Sequence, residues 1–261
     1  MCLLVLAWQV HPRYKLVVAA NRDEFHERPT EAMAQWPPPD DDIIAGRDLR
    51  AGGTWLAMDR GRRFGIVTNF RELQRPAPGA PSRGNLIPGY LRNPAATPRY
   101  LQELQPTAAA YSGFNLLLAD QESLWYVSNR ADRFAQQLPP GIYGLSNELL
   151  DTPWPKLLRV RQRFDPLLTQ PGEVPKGELF ALLADPTQAG VDETLPETGL
   201  SPEWEQLLSS PFISMEDYGT RCSTVVMVET SGAVTLTERR FGSRGVPIGE
   251  TEFVLRAGEW P

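Results

Sequence analysis

Residues 1–8 read MCLLVLAW, and three readings of them compete. The run suits a buried strand, the apolar middle of an export signal, or a terminus at which loss of one methionine exposes a cysteine. An export signal carries a charged start, an uninterrupted apolar middle and a small-residue cleavage site. Here apolar residues follow Met1 at once, and Gln9, His11, Arg13 and Lys15 break the run. The leader reading is therefore set aside. CLLVLAWQV (2–10) reads as a short buried strand, apolar and in part β-branched. HPR (11–13) makes a turn and YKLVVAA (14–20) a second strand, so the chain opens on an antiparallel hairpin. The hairpin delivers the polar cluster NRDEFHERP (21–29) to the point where the second strand leaves the sheet.

Outward from that hairpin, β patterns and helical patterns alternate in blocks. QWPPPDDD (35–42) is a loop. AGGTWLAM (51–58) and RFGIVTNF (63–70) form a hairpin turned by DRGR (59–62). SRGNLIPGYL (82–91) and TPRYLQEL (97–104) read as helices opened by Ser82 and Thr97 as caps. FNLLLAD (114–120) and SLWYVSN (123–129) pair around Gln121 and Glu122, and GIYGLSN (141–147) is a further strand. TPWPKLLRVRQRFDPLL (152–168) is the strongest helical pattern, with Thr152 as N-cap and proline in the first turn. Its stripe of Leu157, Val160, Phe164 and Leu168 reads as core. GELFALLAD (177–185) and SPEWEQLLSS (201–210) are shorter helices. TRCSTVVMVE (220–229), AVTLTERRF (233–241) and TEFVLRA (251–257) return to β. No internal repeat or dividing linker is visible, so the expectation is one α+β domain over 1–261, its sheets completed by both termini.

Composition narrows the function classes. Hydrophobic residues are 41% and charged residues 22%, ordinary globular usage that supports a sizeable core. The 25 prolines point to many rigid loops, since proline fixes φ and removes a donor. A net charge of −6 and a pI of about 5.1 argue against a nucleic-acid binder, which carries a basic face. No run approaches the ~20 apolar residues of a membrane helix. Two cysteines, Cys2 and Cys222, offer neither a disulfide framework nor a Cys-x-x-Cys pair; a reduced, cytoplasmic setting fits. Arginine outnumbers lysine 23 to 3, and residues 47–99 hold ten arginines against Asp48, Asp59 and Glu72. That stretch reads either as a solvated surface or as a site for an anionic ligand.

Common catalytic and cofactor signatures are missing. No G-x-G, G-K-[ST] or G-x-S-x-G occurs, which removes the dinucleotide fingerprint, the P-loop and the nucleophile elbow. His11 and His26 are the only histidines, and neither sits in H-E-x-x-H. A metal site would have to combine His26 with Asp23, Glu24 and Glu27. Adjacent strand residues point to opposite faces, which disfavours it, and the expectation is no metal and no cofactor.

Cys2 remains. With Met1 removed, its α-amine would titrate near ~7.7–8.0 and its thiol near ~8.5, held a few ångströms apart by covalent structure. One residue then supplies nucleophile and general base, as in the threonine-plus-amine arrangement. On its own, a cysteine on an apolar strand is more simply a small core residue. The other polar clusters shift that balance. Asp23 ends the strand expected to pair with the Cys2 strand, where it can orient the amine. Asn69 and Asn147 end GIVTN and GLSN, as oxyanion donors would. Arg221 opens the last long strand within YGTRCST. Singly, each is as well explained as a turn residue; together on a β-rich scaffold they form a candidate site.

The same blocks carry a family resemblance. MC at the start, AANRDEFHERP, AGGTW with VTNFRE, SRGNL, SGFNLLLAD, GIYGLSNELLDTPWPK and YGTRCSTVVMV with TLTER occur in order over nearly the whole chain. The chain is identified on them as a member of the NRDE protein family, also called the transport-and-Golgi-organisation family. Cys222 and Ser223 fall where relatives vary among small polar residues. That family in turn resembles the N-terminal-nucleophile hydrolases, in the branch of bile-salt hydrolases and penicillin V acylases. The second resemblance implies a four-layer αββα sandwich, an N-terminal cysteine nucleophile, an Arg–Asp pair, two asparagines and a later arginine. The matching positions are Cys2, Arg22 with Asp23, Asn69, Asn147 and Arg221. Asn21, Glu24, Trp55 and Asn115, in the matched blocks, are the expected substrate-binding residues.

Two functions are thereby expected. The first is an amidohydrolase or related acyl hydrolase acting on a C–N bond of a small molecule. The second is a non-catalytic carrier for an apolar anion such as haem or an acyl-coenzyme A, motivated by the arginine-rich stretch from Arg47 to Arg99; haem and lipid metabolism are linked to eukaryotic members of the family that the chain resembles. The partner is in either case a small molecule, with no nucleic acid and no membrane span. The sequence does not fix the oligomeric state.

Overall fold

A computed structural model describes residues 2–73, 77–170 and 172–261 of the chain. Its strands are β1 Cys2–Trp8, β2 Tyr14–Phe25, β3 Thr30–Gln35, β4 Ile43–Asp48, β5 Leu56–Asp59 and β6 Phe64–Asn69. After α1 Leu86–Arg92 and α2 Thr97–Leu104 come β7 Phe114–Ala119, β8 Leu124–Ser128, β9 Ala135–Leu138 and β10 Gly141–Leu145. Three helices follow, α3 Pro155–Thr169, α4 Lys176–Leu183 and α5 Pro202–Leu207, and then β11 Tyr218–Glu229, β12 Val234–Phe241 and β13 Pro247–Leu255. The chain divides into two compact units, Met1–Glu27 with Pro140–Gly258 and Arg28–Pro139 with Glu259–Pro261. The α+β class holds: each unit is built on one antiparallel sheet with helices on one face.

The first unit carries a six-stranded sheet in the order β10-β1-β2-β11-β12-β13. Alternation along the strands decides which side chains meet the helices. Leu3, Val5 and Ala7 of β1 join Val17 and Ala19 of β2 and Val225 and Met227 of β11 in one buried cluster. The helical partners are Leu157, Val160, Phe164 and Leu168 of α3 and Leu179, Phe180, Leu182 and Leu183 of α4. The expected α3 stripe is therefore core, each large side chain contributing about 1.5–3 kcal/mol on full burial.

The second unit is a seven-stranded meander, β3 through β9 in chain order. Ala45, Ala57, Val67, Leu116, Leu118 and Val127 pack there with Leu86, Ile87, Tyr90, Leu91, Leu101 and Leu104 of α1 and α2.

Several local expectations are corrected. NRDEF does not leave the sheet, because β2 continues through Phe25 and β11 stays paired with it to Tyr218. Strands β3, β4 and β9 form where no strand was expected. Trp154, not Thr152, holds the N-cap position of α3, and the Thr152 hydroxyl donates to the Leu149 carbonyl at 2.9 Å. Thr97 lies inside α2, not at its cap; its hydroxyl donates to Asp120 at 2.6 Å. Ser82 accepts from Gly84 N at the 3₁₀ turn before α1, and Ser201 caps α5 by accepting from Trp204 N. Among the described residues, no helix is long and apolar enough to cross a membrane.

The AGGTW and SRGNL blocks meet by backbone. Thr54 N donates to Gly84 O at 3.0 Å, and a Cβ on Gly53 would overlap the Gly84 backbone. Only glycine permits that approach. Gly53→Ala is expected to cost about 1–3 kcal/mol or more through overpacking, read as a lower denaturant midpoint. A Gly89→Ala control, inside α1 with an added Cβ that would meet only the Tyr100 hydroxyl at 3.5 Å, should keep the parent midpoint or raise it, since alanine favours a helix over glycine. An unchanged midpoint in Gly53→Ala would refute the close crossing.

Candidate active site

Arg22 is the reference point, because β2 is hydrogen-bonded on both sides. In register, Cys2 of β1 and Cys222 of β11 both lie opposite Arg22. At about 4.8 Å per strand, positions 2 and 222 stand nearly 10 Å apart, beyond the ~7 Å reach of a disulfide. Asp23 pairs with Thr220 while Arg22 pairs with Cys222, which leaves Arg221 as the extra residue of a β-bulge. A bulge re-aims its side chain out of the regular alternation, and Arg221 Nη1 donates to the Phe25 carbonyl at 2.8 Å.

Asp23 is only 1% exposed. Its Oδ1 accepts from Thr220 Oγ1 at 2.7 Å, and the same hydroxyl oxygen accepts from Ile213 N at 3.0 Å, which fixes where its proton points. Burial pushes the Asp23 carboxyl up from its ordinary value; the charge of Lys156, the Thr220 hydrogen bond and Arg22 oppose that rise. Arg22 is itself buried, with Nη2 at 4.0 Å from Glu24 Oε2. Glu24 Oε1 accepts from Phe25 N at 2.9 Å. Burial and the neighbouring Arg22 pull the Arg221 guanidinium down from its usual value. Burial and then Arg221 pull the His26 imidazole down likewise.

Asn147 is buried and follows β10 by two residues. Since Leu4 pairs with Leu145, it lies at the end of the sheet where β1 begins. Cys2, Arg22, Asp23, Glu24, Asn147 and Arg221 thus share one end of the first sheet. Asn21 faces the helices: its Nδ2 donates to the Leu183 and Pro211 carbonyls at 2.8 and 2.9 Å, and its Oδ1 accepts from Ser223 at 2.6 Å. Those bonds use both amide protons, so Asn21 ties the strand to the C-terminal end of α4 and to the loop before β11.

The remaining expected residues belong to the second unit. Asn69 ends β6 opposite Phe114. Asn115, fully buried, donates to Thr68 Oγ1 at 3.3 Å and accepts from the Tyr126 hydroxyl at 2.8 Å. Trp55 is buried against Gly46, where a side chain would collide with its ring. The VTNFRE, SRGNL and SGFN blocks converge on Gly113, whose carbonyl accepts from Phe70 N and Arg83 Nη1, both at 2.9 Å. Gly113 N donates to Glu72 at 2.9 Å. The Arg130 guanidinium grips Glu72 at 2.8 and 2.9 Å and holds its carboxyl below the usual carboxylate range.

Among the described residues, no three His, Cys, Asp or Glu side chains gather closely enough to hold a metal. Two residues that sequence reasoning passed over matter here. Thr220, the T of YGTR, carries the hydrogen bond to Asp23. Lys156 was hidden inside a helix read only for its apolar stripe, although it stands four residues before Val160 on the same face.

Comparison with known proteins shows the family. A family model described as Transport and Golgi organisation 2 matches residues 1–243. The chain belongs to that family. The match runs through both units and takes in every candidate residue. The Transport and Golgi organization 2 homolog of Mus musculus is 31% identical, over 98% of this chain and 100% of its own length. The Bos taurus homolog is 33% identical over 92% of each chain, and the Drosophila melanogaster family member 27% over 91% of each. Among solved structures, a Caenorhabditis elegans N-acylethanolamine-hydrolyzing acid amidase ortholog is similar, with a TM-score of 0.45 and 11% identity, covering 86% of this chain and 92% of that one.

The Thr220–Asp23 bond has a pH signature. The folded-state value of Asp23 lies above the unfolded one, so ionising it costs stability. That cost is absent below the ordinary carboxylate range and fully present above the folded value. Removing a donor to the charged form enlarges it. Thr220→Val is expected to lose about 2 kcal/mol near neutral pH and less as pH falls through the Asp23 midpoint, measured by urea unfolding at several pH values. A loss independent of pH would mean that Thr220 does not serve the carboxylate.

Proposed function

We propose that the chain is an N-terminal cysteine amidohydrolase, or a related acyl hydrolase, acting on a C–N bond of a small acylated molecule. The observation that carries the reading is the register: position 2 stands opposite Arg22 and one residue from the buried carboxylate of Asp23. With Met1 removed, the Cys2 thiol gives its proton to its own amine and attacks the amide carbonyl. Asp23 orients that amine. Arg22 and Arg221 stabilise negative charge near the thiolate, and the amide of Asn147 supplies a donor to the oxyanion. The tetrahedral adduct collapses as the leaving nitrogen takes the proton, leaving a thioester on Cys2. Water, deprotonated by the same amine, releases the carboxylic acid and regenerates the thiol.

The proposal takes 1–261 as one functional domain, in keeping with the family match across both units. It sets the reaction in a reducing cytoplasm, where two unbridged thiols persist. It invokes no cofactor.

The carrier reading drew on the arginines of 47–99, and their surroundings weaken it. Arg60 pairs with Asp42 at 2.6 Å and Arg92 with Asp40 at 2.7 Å. Arg99 pairs with Glu103 at 2.8 Å. Arg63 binds Asp59 at 2.7 Å and the carbonyls of Tyr90, Leu91 and Asn93. Arg83 serves Gly113, and Arg62 donates to the Glu259 carbonyl at 2.9 Å. The sequence window counted only its own acids; Asp40, Asp42 and Glu103 lie outside it. Arg75 is outside the described residues.

Incubation with a panel of acylated amines and thiol-directed electrophiles, followed by mass mapping, tests the proposal. The expected result is an acyl or alkyl adduct on Cys2 that disappears in Cys2→Ala, with the buried Cys222 unlabelled. Equal labelling of both cysteines, or saturable haem or acyl-coenzyme A binding without any adduct, would contradict it.

A further inference from the structure

Lys156 is a cation in an unfavourable place. It is 1% exposed and sits in the first turn of α3. A buried ammonium forfeits its hydration, and the positive end of a helix dipole disfavours a cation in the first turn. Lysine usually escapes by extending its head into water, which near-complete burial denies it. Helix geometry dictates the position: Val160 and Phe164 follow at four and eight residues and are buried with it.

Two groups compensate. The Trp154 ring centroid lies 5.8 Å from Lys156 Nζ, within reach of a cation–π contact. The Trp154 indole in turn donates to Glu148 Oε2 at 2.8 Å. The second group is Asp23, equally buried. Asp23 alternates with Val17 and Ala19 onto the face of β2 that packs against Val160 and Phe164, the α3 face that Lys156 shares, and the Lys156 charge opposes the rise that burial imposes on its carboxyl. Among the described residues, the charged and polar groups acting on Asp23 come from three elements: Lys156 from α3, Thr220 from β11 and Arg22 from β2.

We propose that Lys156 is the buried counter-cation of Asp23 and a positioning residue of the candidate site, keeping that carboxylate ionised and aimed where the Cys2 amine is to be oriented. This rests on the reading of Asp23 as the residue that orients the amine. It also accounts for a lysine within the first turn of α3, on the helix face that packs against β1 and β2.

The test uses the full chain with Lys156→Met and Lys156→Arg. Asp23 is followed by carbon NMR of aspartate-labelled protein, its signal assigned with Asp23→Asn, and the pH profile of Cys2 alkylation is recorded in parallel. In Lys156→Met the Asp23 midpoint should rise by at least one pH unit, a tenfold gain in proton affinity, and the acid limb of Cys2 alkylation should move with it. Lys156→Arg should restore both. A folded Lys156→Met protein with an unmoved Asp23 midpoint overturns the ion pair. A moved midpoint with an unmoved alkylation profile overturns the positioning role. Where Lys156→Met does not fold, Asp23→Asn carries the test: the Lys156 ammonium, one of only three lysines, should lose its proton at lower pH, and an unchanged lysine titration refutes the pair. If Cys2 of the parent protein does not react at all, the reading of the site fails, while the Asp23 titration still decides the ion pair.

Discussion

Everything in the candidate site depends on β2 being hydrogen-bonded along both edges. Residues Leu16 to Arg22 are paired with β1 on one edge and β11 on the other, and β11 continues the ladder to Phe25, so Arg22 is held from both sides and Asp23 from the β11 side. Without these ladders the two charged residues would seek water, as such residues nearly always do. Held from both sides, Arg22 is fixed opposite Cys2 and Cys222, and the mismatch at the Thr220–Cys222 step is expelled as the Arg221 bulge. One irregularity in one ladder therefore sets two guanidinium groups near each other.

Burying such residues is costly unless each is matched. The first unit meets the requirement with a graded set of partners around Asp23: a hydroxyl whose proton is aimed by a backbone donor, a guanidinium on the same strand and an ammonium from α3. The arrangement keeps a carboxylate inside a protein without leaving it exposed to bulk water. The second unit uses the same logic for stability. Glu72, Arg83, Arg130 and the Gly113 peptide close a polar junction between β6, β7 and the 3₁₀ turn before α1. Six arginines of the arginine-rich stretch, Arg60, Arg62, Arg63, Arg83, Arg92 and Arg99, are drawn into ion pairs and carbonyl contacts of this kind.

The opening hairpin, the β7–β8 pair and the α3 stripe were legible because their apolar periodicity is strong and local. TEAMAQ and AQQL were not, since β3 and β9 are polar edge strands with little β propensity, drawn into the sheet only by their ladders to β4 and β8. NRDE was read as the end of a strand because four polar residues in a row look like a turn, and only the ladder to β11 reverses that. Asp23 and Arg221 were picked out as site residues, but burial, the bulge and the Thr220 bond belong to tertiary structure. Lys156 left a readable trace: a lysine in register with an apolar helical stripe.

The proposed chemistry requires position 2 to become a terminus with its own amine beside its thiol. Intact-mass measurement of the purified protein, with N-terminal peptide mapping, tests that most directly. The expected result is a chain lacking Met1 and beginning at Cys2. A chain that retains Met1 and yet turns over an acylated amine would contradict it, because the amine assigned as general base would then be locked in a peptide bond.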